Sequence, residues 1–137
     1  MTMVKDIQHM DQDSLELDAR YMSIKDKMTR VEIHNQALAM LHESGLEDKY
    51  ILNQVQFHEE AVNCLKDEIA IMKLAQINDF LRLKDPDIID ILKMRYFNYL
   101  SWDEIAQKYG RTARWAQMLR NRGLHQIVKA KEDTSFS

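Results

Sequence analysis

Residues 95–127 read RYFNYLSWDEIAQKYGRTARWAQMLRNRGLHQI, and this stretch decides the fold. Ser101 and Glu104 form an S-x-x-E capping box that begins a short helix, and Gly110 can adopt the left-handed conformation that ends it. Thr112 then offers a hydroxyl group that can cap the next helix. Two short helices joined by a glycine-containing turn are typical of a helix-turn-helix.

A further helix precedes this pair and completes a three-helix unit at residues 86–128. Asp85 can cap that helix and Pro86 can open it, because a proline at the first helical position has no N–H to leave unpaired. The apolar residues of the three helices recur at spacings that direct them toward one core. The expected core residues are Leu92, Tyr96, Leu100, Ile105, Ala106, Ala116, Leu119 and Leu124. Residues 129–137 are expected to form a disordered tail.

Two seven-residue rhythms predict a long antiparallel helical hairpin at residues 15–84, with a break at Gly45. The first apolar stripe contains Leu17, Tyr21, Ile24, Met28, Val31, Asn35, Leu38 and His42. The second contains Ile51, Val55, His58, Val62, Leu65, Ile69, Met72 and Gln76. Asn35 is expected to lie opposite His58 as a polar pair that fixes the register. The same stripes could equally pair between two chains, and residues 1–14, which have no periodicity, are expected to form a loose tail.

Charge divides the chain sharply into two parts. Residues 1–92 hold 10 Lys or Arg against 18 Asp or Glu, whereas residues 93–131 hold 9 against 2. A compact basic part is the electrostatic footprint of nucleic-acid binding, although a solvated basic helix face has the same composition. The acidic hairpin is then expected to carry the contact between two copies of the chain, away from the nucleic acid.

Composition argues against several other classes of protein. Three glycines and one proline among 137 residues are too few for an all-β fold or a phosphate-binding glycine loop. Cys64 is the single cysteine, and the five histidines are not spaced to share a metal, so no disulfide, metal, cofactor or catalytic site is expected. No apolar run approaches the roughly 18 residues of a membrane span, and the first residues lack a signal-peptide core, so a cytoplasmic location is expected.

The third helix of the basic unit carries polar side chains on the face that points away from the core. Residues expected to read bases are Thr112, Arg114, Gln117 and Asn121. Arginine, glutamine and asparagine match the edges of guanine and adenine in the major groove. Residues expected to hold phosphates are Arg95, Lys108, Arg111, Arg120 and Arg122. The face therefore predicts sequence-specific binding to double-stranded DNA.

The same stretch resembles the helix-turn-helix of sigma factor region 4 and, more closely, phage-encoded transcriptional regulators of the RinA and ArpU type. The residues that carry the resemblance are Arg95, Tyr96, Ser101, Trp102, Ile105, Ala106, Gly110, Thr112, Ala116, Leu119 and Leu124. The sequence departs from that family at Ala116, where a larger branched residue is usual. It also departs at Gly123, where alanine is usual, and this glycine is expected to loosen the end of the helix. The resemblance implies a regulator of transcription in temperate phages or prophages, with promoter DNA, RNA polymerase or both as partners.

Two other functions stay open on the sequence. A protein-interaction module would bind host RNA polymerase or a defence complex through its helical surface. The acidic sequence pI of about 5.9 supports that reading, because an acidic field repels DNA and attracts basic partners. A sigma-like factor is the other, although no separate polymerase-binding region 2 is evident. If the chain binds DNA, a homodimer is expected, since a single helix-turn-helix usually binds weakly and dimers engage two half-sites.

Overall fold

The computed structural model describes residues 10–135, and all of the regular structure there is helical. Five helices follow one another along the chain: α1 Gln12–Glu43, α2 Lys49–Phe80, α3 Pro86–Tyr96, α4 Trp102–Tyr109 and α5 Ala113–Ser135. The predicted all-α fold, a long helical hairpin followed by a unit of smaller helices, is therefore confirmed. None of the described helices combines the length and the apolar character needed to cross a lipid bilayer.

The described residues form two compact units. The first unit contains residues 10–21 and 76–135, so it includes both ends of the hairpin together with α3, α4 and α5. Its core confirms the buried positions predicted in the three short helices, except that Leu100 is only half-buried. The buried apolar residues of this unit are Leu17, Tyr21, Phe80, Leu83, Ile88, Ile91, Leu92, Tyr96, Ile105, Ala106, Ala116, Leu119, Leu124 and Ile127.

The second unit contains residues 22–75, where α1 and α2 pack along one seam. On α1 the half-buried residues include His34 and Leu41, whereas Asn35 and His42 are exposed. His34 Nδ1 lies 2.7 Å from His58 Nδ1, so the prediction that Asn35 lies opposite His58 is wrong. A shift of one residue explains the difference, because it brings Leu41 rather than His42 into the seam and removes more apolar surface from water.

The helix boundaries of α3 and α4 confirm the predicted capping chemistry. The Asp85 carboxylate accepts the backbone N–H of Asp87 at 2.9 Å and caps α3. At the start of α4, Ser101 and Glu104 exchange backbone-to-side-chain hydrogen bonds of 3.1 Å in both directions. The bond from the Ser101 backbone holds the pKa of Glu104 below its usual range, because it favours the charged carboxylate. Gly110, with φ at 63°, ends α4 in the left-handed conformation.

The beginning of α1 differs from the expected loose tail at residues 1–14. The helix begins at Gln12, because the Asp11 carboxylate accepts the backbone N–H of Ser14 at 2.7 Å and so caps the first turn. The rest of the predicted tail, residues 1–9, lies outside the described part of the chain.

The end of α5 also differs from the sequence-based expectation. The helix continues through Ser135, so the prediction of a disordered tail at 129–137 is wrong for its described part. Lys131 gives one physical reason, since its ammonium group lies 3.0 Å from the carboxylate of Asp79 at the end of α2. This ion pair ties the added helical turns to the first unit.

Gly123 lies inside α5 and does not loosen it, contrary to expectation. A Cβ atom at this position would lie 2.6 Å from Ile88 Cγ2 and 3.2 Å from Leu92 Cδ1. The missing side chain therefore lets α5 pack closely on α3. Its role is in tertiary packing, and the conformational freedom of glycine is not used there.

We expect the Gly123→Ala variant to lower the free energy of unfolding by about 1–2 kcal/mol. Alanine is better than glycine in a helix by about 1 kcal/mol, but overpacking a core costs about 1–3 kcal/mol, and the buried β-branched Ile88 cannot move its methyl group easily. Urea unfolding measures the change, with Gln126→Ala at an exposed position of α5 as the control. A variant more stable than the wild type would contradict this packing role.

Candidate nucleic-acid interface

Thr112 and Arg114 are the exposed residues at the beginning of α5. Thr112 Oγ1 accepts the backbone N–H of Trp115 at 3.1 Å and caps the helix. Arg114 is exposed in the first turn. Ala116 and Leu119 are buried on the side where α5 packs against α3 and α4. The start of α5 therefore presents one side to solvent while the other side anchors it.

Four cationic side chains between residues 108 and 122 are exposed: Lys108, Arg111, Arg114 and Arg122. The guanidinium carbon of Arg111 lies 5.3 Å from the ring centre of Trp115, at a cation–π distance. The Trp115 ring in turn lies 5.3 Å from the ring of Tyr109 at the end of α4. This aromatic pair supports Arg111 beside the turn, so its charge is held next to the start of α5.

The four predicted base-reading residues do not have the same exposure. Thr112 and Arg114 are exposed, whereas Gln117 and Asn121 are half-buried. The Asn121 side-chain oxygen accepts the Nε–H of Arg120 at 2.6 Å. This bond engages one of the groups through which an asparagine would recognise adenine. Of these four residues, the two most open to a ligand are therefore Thr112 at the cap and Arg114 in the first turn of α5.

Arg120 points inward, unlike the outward position predicted for a phosphate contact. Its guanidinium nitrogen lies 3.5 Å from the Asp18 carboxylate, and its guanidinium carbon lies 4.7 Å from the ring centre of Trp102. Only 13% of the Arg120 side chain is exposed. The residue therefore joins α1 to α4 and α5 within the first unit.

Arg95 is likewise held by internal contacts, which differs from its predicted phosphate role. Its guanidinium carbon lies 4.7 Å from the ring centre of Trp102, and one guanidinium N–H donates to the Leu100 carbonyl at 3.1 Å. Its buried Nε has no hydrogen-bond partner. The indole of Trp102 thus contacts the guanidinium groups of both Arg95 and Arg120.

Two buried tyrosines reinforce the attachment of the hairpin ends to this unit. The Tyr96 hydroxyl donates to Asp18 at 2.5 Å, and the Tyr21 hydroxyl donates to Asp79 at 2.7 Å. Burial, together with the neighbouring carboxylate, raises the pKa of each tyrosine well above its usual range. Both phenols therefore remain neutral donors at physiological pH.

The acidic first turn of α1 also contacts α5. The Asp11 carboxylate lies 2.9 Å from His125 Nδ1. Its hydrogen bond with the Ser14 backbone, and secondarily its bond with His125, hold the pKa of Asp11 below its usual range. The contact between Asp11 and His125 was not predictable from the sequence, because the two residues are 114 positions apart and no local pattern links them.

We expect Asp18→Asn to lower the free energy of unfolding by about 1–3 kcal/mol. The amide removes the charge that compensates the largely buried Arg120 guanidinium, and an uncompensated buried charge is costly. Urea unfolding at neutral pH measures the loss. The matched control is Asp26→Asn, on the exposed side of α1, which should change stability by less than about 0.5 kcal/mol. Equal effects of the two substitutions would argue against a stabilising role for this contact.

Known proteins give no closer guide to this surface. Comparison of the chain with models of protein families, with curated proteins and with solved structures produced no match. Among residues 10–135, no three histidine, cysteine, aspartate or glutamate side chains come close enough to hold a metal ion together. The function of this surface is therefore inferred from the exposure, charge and contacts of its own side chains.

Proposed function

We propose that the chain is a sequence-specific DNA-binding regulator of transcription, of phage or prophage origin. The observation that supports this most directly is the exposed start of α5, where Arg114 lies two positions after the capping residue Thr112 and follows the exposed Arg111. A recognition helix reads the major groove with residues of its N-terminal part, so this is the part that must be open. The expected place of action is the bacterial cytoplasm.

The residues divide into two roles under this proposal. Thr112, Arg114 and Gln117 contact base edges, with Arg114 best suited to the two acceptors of guanine. Lys108, Arg111 and Arg122 hold phosphates, which fix the position of the helix without reading sequence. Arg95 and Arg120 act from inside the unit by keeping α5 in place, and Asn121 contributes to base reading only if its bond with Arg120 is exchanged.

A homodimer fits this proposal better than a single chain. Three phosphate contacts per helix-turn-helix give only weak binding, whereas two copies supply about six contacts on adjacent half-sites. With about six contacts, affinity should fall roughly 10³-fold between about 50 and 200 mM salt. RNA polymerase of the host is a further possible partner, since proteins with a similar helix-turn-helix contact promoter DNA, polymerase or both.

Selection of bound fragments from random DNA, followed by binding titrations on the enriched site, tests the proposal. We expect Arg114→Ala to weaken binding to that site by about 1–3 kcal/mol, or roughly 5- to 150-fold, with little effect on unrelated DNA.

We expect Lys108→Ala to weaken binding to every sequence alike. It should also reduce the salt slope, which is the slope of log affinity against log salt concentration, by about 1.

The control for these variants is Lys73→Ala, which removes an exposed lysine of α2 outside the helix-turn-helix. It should leave both affinity and salt slope unchanged. If no motif is enriched at low salt, or if Arg114→Ala and Gln117→Ala bind the site as the wild type does, the DNA-binding proposal fails.

An apolar groove in the first unit favours a second candidate function, the binding of a protein partner. The groove has a volume of about 310 Å³ and is lined by Ile77, Phe80, Leu81, Leu83, Ile89, Lys93 and Phe97. Leu81 is 76% exposed there, and the Phe80 and Phe97 rings stack at 5.2 Å. A Leu81→Glu variant that loses activity in cells, beside an Arg114→Ala variant that keeps it, would favour the protein-binding function over DNA binding.

A further inference from the structure

The second unit carries an exposed apolar stripe on α2 that runs along one flank of the seam with α1. Tyr50, Phe57, Cys64 and Ile71 follow one another at intervals of seven residues, so they lie nearly in line along the helix. Tyr50 is 80% exposed, Phe57 58% and Ile71 70%, and Cys64 is exposed as well. We call these four residues, with Ala61, Glu68 and Ala75 beside them, the outer stripe.

The second unit buries little of its own apolar surface. Ile24 and Val62 are its fully buried residues, and the rest of the seam between α1 and α2 is only half-buried. Two helices alone cover each other on one side, and stable helical units usually add a second layer, as four-helix bundles do. The unit therefore has the two helices and the uncovered apolar surface expected of one half of a four-helix bundle.

Both signs of charge occur beside the outer stripe. The Glu68 carboxylate lies 2.8 Å from the Lys27 ammonium group, and Arg30 adds a further attraction that helps to hold the pKa of Glu68 low. In a two-fold interface each residue meets the other copy's version of the same face. A face with Glu68 close to Lys27 and Arg30 can then place opposite charges against each other, which a face of one sign cannot do.

We propose that two copies of the chain associate through the outer stripe of α2 to form a four-helix bundle. Association of the two copies does not require DNA binding. Its purpose rests on the proposed function, since the second copy would supply a second DNA-reading helix-turn-helix. Phe57 and Ile71 are the central apolar contacts. Ala61, between them, and Ala75, about one turn after Ile71, are small enough to let the facing helices approach closely.

The available surface is of the size that a dimer needs. An aromatic side chain can bury roughly 150–250 Å² of surface. A standard interface buries about 800 Å² on each partner. Tyr50, Phe57 and Ile71 supply a large part of this area. On α1, Ile33 and Met40 are 57% and 70% exposed. They lie about one and about three turns after Arg30 and can supply more.

Sedimentation equilibrium of the full chain without DNA tests the proposal. We expect the wild type to have about twice the 16.3 kDa chain mass. Phe57→Glu or Ile71→Glu should weaken the dimer at least about tenfold, because each places a charge in the centre of the contact. Leu52→Glu is the matched control: Leu52 is 57% exposed and lies about 140° around α2 from Phe57. It should dimerise as the wild type does.

Because Phe57 also contacts His34 in the seam, circular dichroism must show that each variant keeps its helix content.

A second measurement needs no substitution: a bulky maleimide attached to the single cysteine, Cys64, should dissociate the dimer. A monomeric wild type, or a dimer that survives both Ile71→Glu and complete labelling, would overturn this assignment. Neither result would touch the DNA-binding proposal, which fails separately if Arg114→Ala binds its site normally.

Discussion

The contact of Arg120 with Asp18 and Trp102 is the interaction on which the arrangement of the first unit depends. It joins the first helix of the described chain to the last, with the indole of α4 between them. The guanidinium is largely withdrawn from water, so its charge requires the Asp18 carboxylate close by. Tyr96 completes the cluster by donating to the same carboxylate. The orientation of α5, and thus of its exposed start, follows from these few polar contacts and from the apolar core beneath them.

Local interactions made most of the helical architecture predictable from the sequence. Asp85, Ser101 and Gly110 act on groups within five residues of themselves, so a short pattern is enough to place α3 and α4. The exact seam of α1 was not predictable in this way. Whether His34 or Asn35 faces α2 depends on how a second helix packs, and a seven-residue rhythm tolerates either choice.

The candidate site was only partly predictable, for a related reason. Thr112 and Arg114 stand where the spacing of the buried residues of α5 puts them, so helical periodicity was sufficient. Arg95 and Arg120 have the residue type of a phosphate contact, yet they are held by Trp102. Arg120 contacts Trp102 and Asp18, which lie 18 and 102 positions earlier in the chain, and no local pattern predicts either contact. Composition alone cannot separate a cation that stabilises the fold from one that awaits a ligand.

The surroundings of individual α5 residues constrain how such a protein could diversify. Substitutions of Arg120, Gly123 or Lys131 would disturb contacts with other helices. Variation around Arg114 meets no such restriction. If relatives of this chain recognise different targets, the changes responsible should cluster at exposed positions such as Thr112 and Arg114, while the positions tied to other helices stay under selection for folding. Target choice and architecture would then evolve almost independently within one helix.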